Sequence, residues 1–459
     1  MTGTLDRSGT YLDQLLARVG TSLADDLVPV DIFNDPDVFA AEVDRIFTNN
    51  WIFVAHETEI PNPGDFVQRR IGLDTVIVTR DGDGDGGINV LSNYCRHRGS
   101  QVCQTDSGNS RFFKCPYHGW TYANNGDLVG TPMMHRAYGQ PLDKTRWGLL
   151  RAPRVDSRQG FIFASLSADV EPLDKHLGGA GWMLDAFVGL HPQGMRVTGP
   201  PDRYRIKADW KTGAENHAGD SYHVPSLHGS MQEIGLAGGV DMVCELGRPY
   251  EFENGHAFLG LAWTKMAGPD YTFWGYPSEI KDQFDLTGLD ENQIHVATHE
   301  GPVVGTIFPN LSFVRATSPD GTGDWTSTYT SFRQFQPIGP GEMEQWNWQL
   351  AWNFQSDESL HTDTEMGLLQ FGSAGMIEQD DTVAWEGIAR SGASPWARRE
   401  RMAFHFQQGN NSEADQAPDP TWKGPGVRRL TNYGEHNQLH FYRHWLRVMQ
   451  GGGSNCEAD

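Results

Sequence analysis

Two short motifs in the chain each pair a cysteine with a histidine. Cys95-Arg-His97 is followed, after seventeen residues, by Cys115-Pro-Tyr-His118. Two thiolates and two imidazoles are the ligands of a Rieske [2Fe–2S] cluster, whose cysteines bind one iron and whose histidines bind the other. A structural zinc site is the alternative, but zinc typically uses Cys-x2–4-Cys and His-x3–5-His blocks. The spacing therefore predicts a cluster and one-electron chemistry.

A second group of metal-binding residue types lies further along the chain. Asn216 and Asp220 are four residues apart and would share one face of a helix, which His223 extends. His223 and His228 are five residues apart, so both reach one metal only where the helix breaks, and Pro225 supplies a break. Histidines that only pack within the structure are the alternative for this pair.

A carboxylate is the third ligand that such a site needs. The candidates are Glu378, Asp380, Asp381 and Glu386. Two histidines and one carboxylate on one face of Fe(II) leave coordination positions open for oxygen, as in non-haem oxygenases. A cluster that stores electrons complements an iron that activates oxygen, because this activation needs electrons delivered one at a time. Together the two groups predict an oxygenase with its substrate in a pocket beside the iron.

Composition excludes several classes of partner. The 459 residues carry a net charge of −23, which repels nucleic acid and anionic membranes. No apolar run approaches the roughly 18 residues of a membrane span, and the N-terminus lacks the layout of a secretory signal, so we expect a cytoplasmic protein. Only five cysteines occur, so we expect no disulfide framework, and we interpret Cys103 in the cluster loop as a bystander.

The elements that must position these residues change in type along the chain. A helical pattern near the N-terminus is broken at Asp35-Pro36, and short β-rich runs follow from Trp51. The alternation in Trp325–Phe332 and Glu344–Trp352 predicts a half-buried antiparallel sheet. The predicted class is α+β, with a Rieske β-domain inserted before a larger catalytic domain whose long antiparallel sheet is flanked by helices. The predicted domains are an N-terminal helical segment packed on the catalytic domain (1–45), the Rieske [2Fe–2S] domain (46–165) and the catalytic non-haem iron domain (166–459).

With both groups in view, the chain resembles the large (α) subunit of Rieske non-haem iron ring-hydroxylating dioxygenases, the naphthalene, biphenyl and benzoate dioxygenase family. The resemblance covers nearly the whole length, and it rests on both motif groups and on Phe308-Pro309-Asn310, which lies between His228 and Glu378. It implies the iron ligands His223, His228 and Asp381, with Asp380 the less suitable neighbour.

The same resemblance implies a catalytic role for Asp220, with Asn216 beside it. An aspartate at this position would link the iron ligand His223 to the cluster ligand His118 of a neighbouring subunit by charge-assisted hydrogen bonds. A carboxylate on an ordinary helix surface is the alternative reading of Asp220.

The resemblance also implies partners. Its members are commonly α3 trimers or α3β3 assemblies with a small β subunit, and they act on an aromatic substrate with O2. Electrons come from NAD(P)H through a separate reductase, with or without a ferredoxin. This chain has no convincing strand-Gly-x-Gly-x-x-Gly-helix nucleotide site, because its glycine-rich stretch at 82–87 lies in a hairpin-like turn.

Aligned positions imply the residues that line the substrate pocket. These are Asn216, His217, Ser221, Val224, Val314 and Phe371. The sequence departs from hydrocarbon dioxygenases at His217, where an apolar residue is usual. Arg315, which follows the pocket strand, would bind a substrate carboxylate bidentately if it faced the pocket. Strand alternation favours the opposite face and a surface salt bridge.

Three functions follow, and the first is the leading expectation. The first is a terminal oxygenase that adds both atoms of O2 to an aromatic hydrocarbon or carboxylate, which gives a cis-dihydrodiol. The second is a Rieske monooxygenase that demethylates or hydroxylates. The third is an electron-transfer protein that holds only the cluster, with structural histidines in its larger domain.

Overall fold

The structure is a computed structural model that describes residues 5–81, 86–140, 142–234, 243–319, 325–409, 417–430 and 433–452. The chain forms two compact units. The smaller unit comprises residues 47–173, and the larger comprises residues 1–46 together with 174–459. In the described part of the chain, no helix combines the length and the apolar character needed to cross a membrane.

The N-terminal segment of the larger unit contains α1 (Leu5–Ala24), β1 (Leu27–Pro29) and α2 (Pro36–Glu42), with a 3-10 turn and a π-helical turn between and after them. The carboxylate of Asp35 accepts hydrogen bonds from the backbone N–H groups of Asp37 and Val38. Proline is well suited to the first helical turn, where its missing N–H is not needed. Asp35-Pro36 therefore begins a helix, and the prediction that it breaks one is wrong.

The smaller unit is built from antiparallel strands. Within its described residues they form three sheets, with the orders β10-β11-β2, β5-β4-β3-β6 and β7-β8-β9. The strands are β2 (Ile52–His56), β3 (Asp65–Ile71), β4 (Asp74–Arg80), β5 (Ile88–Ser92), β6 (Ser107–Asn109), β7 (Phe112–Lys114), β8 (Thr121–Ala123), β9 (Leu128–Gly130), β10 (Arg154–Arg158) and β11 (Phe161–Ser165). The helix α3 (Met134–Tyr138) follows β9. The first Cys-His motif follows β5, and the second lies between β7 and β8. The predicted glycine-rich turn joins β4 to β5, but its residues 82–85 lie outside the described residues.

The larger unit contains a long antiparallel sheet. Its strand order is β12-β19-β18-β17-β16-β15-β14-β21, with β13 also paired to β19, while β20 pairs with β1. These strands are β12 (Met195–Val197), β13 (Asp202–Ile206), β14 (Gly247–Glu251), β15 (Ala257–Leu261), β16 (Pro302–Ile307), β17 (Leu311–Pro319), β18 (Trp325–Gly339), β19 (Glu342–Trp352), β20 (Ala403–His405) and β21 (Val427–Arg428).

Helices accompany this sheet, as the α+β prediction requires. They are α4 (Leu173–Val188), α5 (Trp210–Asn216), α6 (Val224–Leu227), α7 (Gly229–Glu233), α8 (Val243–Leu246), α9 (Trp263–Ala267), α10 (Ser278–Lys281), α11 (Glu291–His299), α12 (Asp357–Phe371), α13 (Glu378–Gly392), α14 (Pro395–Arg399) and α15 (His436–Met449). The fold class is confirmed: the chain contains a β-rich unit and a larger unit with a long antiparallel sheet and helices.

The long sheet is buried on both faces. From Gln345 to Trp352, consecutive residues of β19 are buried, whichever face they occupy. Two polar side chains of this run donate hydrogen bonds to helical segments: Gln345 donates to Glu378 of α13, and Asn347 donates to the carbonyl of Phe371 at the end of α12. The prediction of a half-buried sheet is wrong, because α12 packs on β18 and β19 and covers the face that the alternating polar residues occupy.

A buried ion cluster joins the N-terminal segment to the helix that leads into the second motif group. The Lys211 ammonium lies 2.6 Å from Glu42 Oε1 and 2.7 Å from Asp209 Oδ1, and its side chain is fully buried. Burial alone would lower the pKa of Lys211, but the two carboxylates raise it. The indole N–H groups of Trp210 and Trp445 donate to Glu42 at 3.0 and 2.8 Å. This cluster fixes the start of α5.

We expect Lys211→Ala to lower the free energy of unfolding by about 3–5 kcal/mol, because it leaves two buried carboxylates without their cation. Urea denaturation of the purified protein measures this loss. The control is Arg390→Ala, which removes an exposed pair with Glu386 at 3.6 Å and should cost at most about 1 kcal/mol. Equal losses in the two variants would contradict the structural role of the cluster.

Candidate functional site

The two Cys-His loops have the same local structure. The N–H of Gly99 donates to the carbonyl of Cys95 at 2.8 Å, and the N–H of Gly119 donates to that of Cys115 at 2.9 Å. Both glycines have positive φ, +75° and +72°, a conformation that favours glycine. Each buried cysteine therefore opens a tight turn that a glycine closes four residues later.

The two histidines of these loops lie close together. The ring centroids of His97 and His118 are 4.5 Å apart, and the indole of Trp120 stacks on His97 at 5.1 Å. His97 Nδ1 is buried and has no hydrogen-bond partner among the described residues. His118 Nε2 accepts from Arg98 at 2.6 Å, which leaves its Nδ1 for other contacts. A buried imidazole nitrogen without a hydrogen-bond partner among the described residues, beside two buried thiols, fits a cluster with two cysteine and two histidine ligands.

The second motif group brings three ligand types to one point. His223 Nε2 lies 3.4 Å and His228 Nε2 lies 3.3 Å from the same atom, Asp381 Oδ1. This oxygen is buried without a hydrogen-bond partner in the described part of the chain. Two ligand atoms bound at about 2.1 Å to one ion, at roughly 90–110° to each other, are about 3.0–3.4 Å apart. The three side chains therefore fit a single metal ion, and all three ligand atoms lie within 4.8 Å of one another.

The other carboxylates of the 378–386 segment have different partners. Asp380 is 42% exposed, with its carboxylate 3.7 Å from His228 Nδ1. Glu378 is buried and pairs with the guanidinium of Arg333 at 3.2 Å. Glu386 pairs with Arg390 on the surface of α13. Of the four candidate carboxylates, Asp381 is the one that faces both histidines through their Nε2 atoms.

The backbone around the two histidines differs from the prediction. The helix α5 ends at Asn216, and α6 begins only after His223. Pro225 stands in the first turn of α6 and thus helps to begin this helix. The prediction that Asn216, Asp220 and His223 share one helix face is wrong, because the chain leaves the helix between them. His223 and His228 instead flank the single turn of α6.

Asp220 contacts His223 from the loop that precedes α6. Its Oδ2 lies 3.2 Å from His223 Nδ1, and its side chain is 29% exposed. Its Oδ1 accepts from the backbone N–H groups of Tyr222 at 3.0 Å and His223 at 3.4 Å. The carboxylate thus fixes the ring nitrogen of His223 that points away from Asp381, as a second carboxylate commonly does for a metal-binding histidine.

A cavity of about 210 Å³ adjoins the three ligands. This volume is below the 300–1,000 Å³ typical of sites for drug-sized ligands, so it suits a small molecule. Six predicted residues border it, namely Asn216, His217, Val224, Val314, Arg315 and Phe371. Ser221 does not border it, because its side chain is directed at Cys244, 3.7 Å away. The sequence did not identify several other residues of the wall. They are Met231, Val243, Leu259, Leu261, Trp263, Met266, Val303, Val304, Ala316, Thr317, Ser318, Gln370 and Ile377.

His217 presents no free nitrogen to this cavity. Its Nδ1–H donates to the carbonyl of Gly213 at 3.0 Å, and its Nε2 accepts from Arg333 at 2.6 Å. Burial and the positive charge of Arg333 both hold the pKa of His217 well below its usual value. The imidazole is therefore neutral with both nitrogens engaged, and its polarity does not conflict with an apolar substrate.

Arg315 is buried on the face of β17 opposite Val314. Its guanidinium lies 4.1 Å from the ring centroid of Phe187 and 4.3 Å from that of Trp274. Its Nε donates to Thr330 at 2.7 Å, and burial lowers its pKa to about 10. Strand alternation places the Arg315 side chain opposite Val314, as expected. The prediction of a surface salt bridge is wrong, because the guanidinium is buried and makes cation–π contacts with aromatic rings.

Comparison with known proteins decides the family. Residues 50–147 match the Rieske [2Fe-2S] domain, and residues 196–451 match the ring hydroxylating alpha subunit (catalytic domain). The chain belongs to the ring-hydroxylating oxygenase alpha subunits. The resemblance predicted from the motifs is therefore confirmed, and with it a Rieske [2Fe–2S] cluster and a catalytic domain of mononuclear iron.

Relatives of this alpha subunit carry out two kinds of reaction. The chain is 46% identical to the N,N-dimethyl phenylurea N-demethylase subunit alpha of Sphingobium sp. (strain YBL2), over 97% of this chain and 96% of that protein. It is 32% identical to the biphenyl 2,3-dioxygenase subunit alpha of Rhodococcus jostii (strain RHA1), over 91% and 88%. The crystal structure of naphthalene 1,2-dioxygenase from Rhodococcus sp. bound to indole superposes with a TM-score of 0.88 at 35% identity, covering 95% and 98%.

Sequence reasoning assigned no role of its own to one residue of the cluster unit. Tyr122 follows His118 by four residues, and its hydroxyl oxygen accepts from the N–H of Arg96 at 3.0 Å. The same hydroxyl lies 3.2 Å from Cys95 Sγ, so its proton is available to the sulfur. Hydrogen bonds to cluster sulfurs raise the reduction potential, because they favour the more negative reduced state.

We expect Tyr122→Phe to lower the reduction potential of the cluster by roughly 40 mV, the one-electron equivalent of a hydrogen bond of about 1 kcal/mol. A redox titration followed by electron paramagnetic resonance measures the shift. Tyr138→Phe is the control, because this ring is 39% exposed on α3. An unchanged or higher potential in Tyr122→Phe would contradict the assigned hydrogen bond.

Proposed function

We propose that this alpha subunit is a monooxygenase that removes N-methyl groups from small, neutral aromatic amides or ureas. The observation that carries this proposal is the 46% identity to an N-demethylase alpha subunit across 97% of the chain. Identity to the naphthalene and biphenyl dioxygenase subunits at comparable coverage is lower, at 27–35%. Demethylation is the second of the sequence-based hypotheses, and the 46% identity supports it over the first.

The residues of both motif groups are assigned roles in this reaction. His223, His228 and Asp381 hold the iron, and Cys95, His97, Cys115 and His118 hold the cluster. The iron supplies oxygen activation when bound, with electrons from the cluster. Overall, the N-methyl substrate, O2, two electrons and two protons give the N-hydroxymethyl product and water, and this product then releases formaldehyde. The electrons come from a separate NAD(P)H-dependent reductase, directly or through a ferredoxin.

The charges around the cavity support a neutral substrate. The guanidinium of Arg315 lies among aromatic rings on the other face of β17. Arg333 pairs with Glu378 and donates to His217. The Arg315 guanidinium packs against aromatic rings, and the Arg333 guanidinium already pairs with a carboxylate, so neither arginine supports the binding of a substrate carboxylate, which an aromatic acid would need after losing its water shell.

The second candidate function is cis-dihydroxylation of an aromatic ring. It is supported by the 35% identity and TM-score of 0.88 with naphthalene 1,2-dioxygenase from Rhodococcus sp.. This reaction places both atoms of O2 in the product, whereas demethylation places one in the methyl group and one in water. An apolar cavity beside the iron site suits either reaction, so the product decides between them.

We also propose that the subunit works as an α3 or α3β3 assembly. In this arrangement Asp220, which is 29% exposed, joins His223 to His118 of the partner subunit. The interaction would carry electrons from the cluster of one subunit to the iron of the next.

The proposed function is tested by single turnover of the reduced holoprotein with 18O2. With N,N-dimethyl-N′-phenylurea we expect about one formaldehyde per active iron and the monomethyl urea. With naphthalene we expect less product. His223→Ala should retain the cluster spectrum and form no formaldehyde. A doubly labelled cis-dihydrodiol as the main product, without formaldehyde, would contradict the proposal and support the dioxygenase.

A further inference from the structure

One wall of the cavity ends in polar side chains. In β17, Val314, Ala316 and Ser318 are two residues apart, so they point to the same face of the sheet, and all three border the cavity. At about 3.3 Å per residue, Ser318 lies roughly 13 Å along the strand from Val314. The wall therefore changes from apolar to polar over a distance comparable to the length of a small aromatic molecule.

Ser318 is hydrogen-bonded to two other elements. Gln370, the penultimate residue of α12, donates from Nε2 to Ser318 Oγ. The hydroxyl of Tyr329 in β18 lies 3.4 Å from Ser318 Oγ. Ser318 and Gln370 are each 2% exposed, and both border the cavity. Phe371, the next residue of α12, also borders the cavity, so the same helix turn presents an aromatic ring and an amide.

This group has unused hydrogen-bonding capacity. Gln370 Oε1 accepts no hydrogen bond from any described residue, although its amide nitrogen is engaged. Ser318 and Tyr329 have two hydroxyl protons, but they share one hydrogen bond, so one proton remains available. By contrast, His217 has both nitrogens engaged, and the Thr317 hydroxyl donates to the carbonyl of Trp274 at 2.7 Å. An acceptor and a donor in this part of the cavity wall therefore lie side by side, each without a protein partner among the described residues.

We propose that Ser318, Tyr329 and Gln370 form an amide-recognition subsite, which rests on the proposed N-demethylation and names its substrate class. Gln370 Oε1 accepts the N–H of an aryl amide or urea, and the hydroxyl of Ser318, with Tyr329 donating to it from behind, donates to the adjacent carbonyl. A substrate of this class fills both unused positions, whereas an aromatic hydrocarbon leaves them buried and unpaired. Sites built in this way reject analogues that lack the polar group.

Binding to the reduced, anaerobic holoprotein tests the subsite without turnover. Isothermal titration would compare three probes: N,N-dimethyl-N′-phenylurea, its analogue with the N′–H replaced by N′-methyl, and naphthalene. In the wild type we expect the N–H urea to bind at least tenfold more tightly than its N′-methyl analogue. Gln370→Met keeps the length of the side chain but removes the acceptor. This variant should weaken binding of the N–H urea about tenfold to a hundredfold, with naphthalene changed less than twofold.

Leu369→Met is the matched control, because this residue precedes Gln370 on α12, is 47% exposed and does not border the cavity. Equal weakening of all three probes by Gln370→Met, no weakening of any, or no binding of the N–H urea to the wild type would overturn the subsite. The two proposals fail separately. Selective binding of the N–H urea without formaldehyde release would overturn only the demethylation, and formaldehyde release with unchanged binding in Gln370→Met would overturn only the subsite.

Discussion

The candidate metal site of the larger unit depends on one shared atom, Asp381 Oδ1, which faces the Nε2 nitrogens of both His223 and His228 at 3.3–3.4 Å. Asp381 Oδ1 is buried there without a hydrogen-bond partner among the described residues, and a cation that joins it to the two imidazoles would compensate for its burial. Two segments that are distant in sequence must therefore be held at fixed positions relative to each other: the loops around α6 and the first turn of α13. The long sheet with α12 positions α13, and the cluster of Lys211 with Glu42 and Asp209 fixes the helix that precedes α6.

Buried arginines near the cavity are held by neighbouring protein groups and not by substrate. Arg333 is shared between Glu378, three residues before Asp381, and His217 in the cavity wall. One guanidinium thus connects the helix that carries the carboxylate ligand to the wall that the substrate contacts. Arg315 is enclosed by aromatic rings on the other face of β17. Groups of the wall with spare hydrogen-bonding capacity lie at Ser318 and Gln370, where the amide or urea group of a substrate can bind while its ring contacts the apolar part of the wall.

The sequence predicted the short-range features well and the long-range ones less well, for physical reasons. The cluster motifs are local: each Cys-His pair is held by a turn of a few residues, so spacing alone identifies them. The ligands His223 and His228 were visible, but the choice of Asp381 over Asp380 came from a family resemblance, because adjacent residues differ only in the direction that α13 gives them. The burial of Gln345 and Asn347 was missed, since a polar alternating strand looks solvated until a helix covers it. The strand alternation that assigns Val314 to the cavity also assigns Ser318 to it. The position of Gln370 at the cavity depends on how α12 packs, which the sequence does not show.

The central claim is that Asp381 completes a mononuclear iron site separate from the cluster. Iron and acid-labile sulfide per chain, measured in protein never exposed to chelator, test it most directly. The account predicts about three irons and two sulfides in the wild type, and about two of each in Asp381→Ala with an unchanged cluster spectrum. Asp380→Ala, in which a more exposed neighbour is removed, should keep the third iron. Only two irons in the wild type, or three retained in Asp381→Ala, would contradict the account.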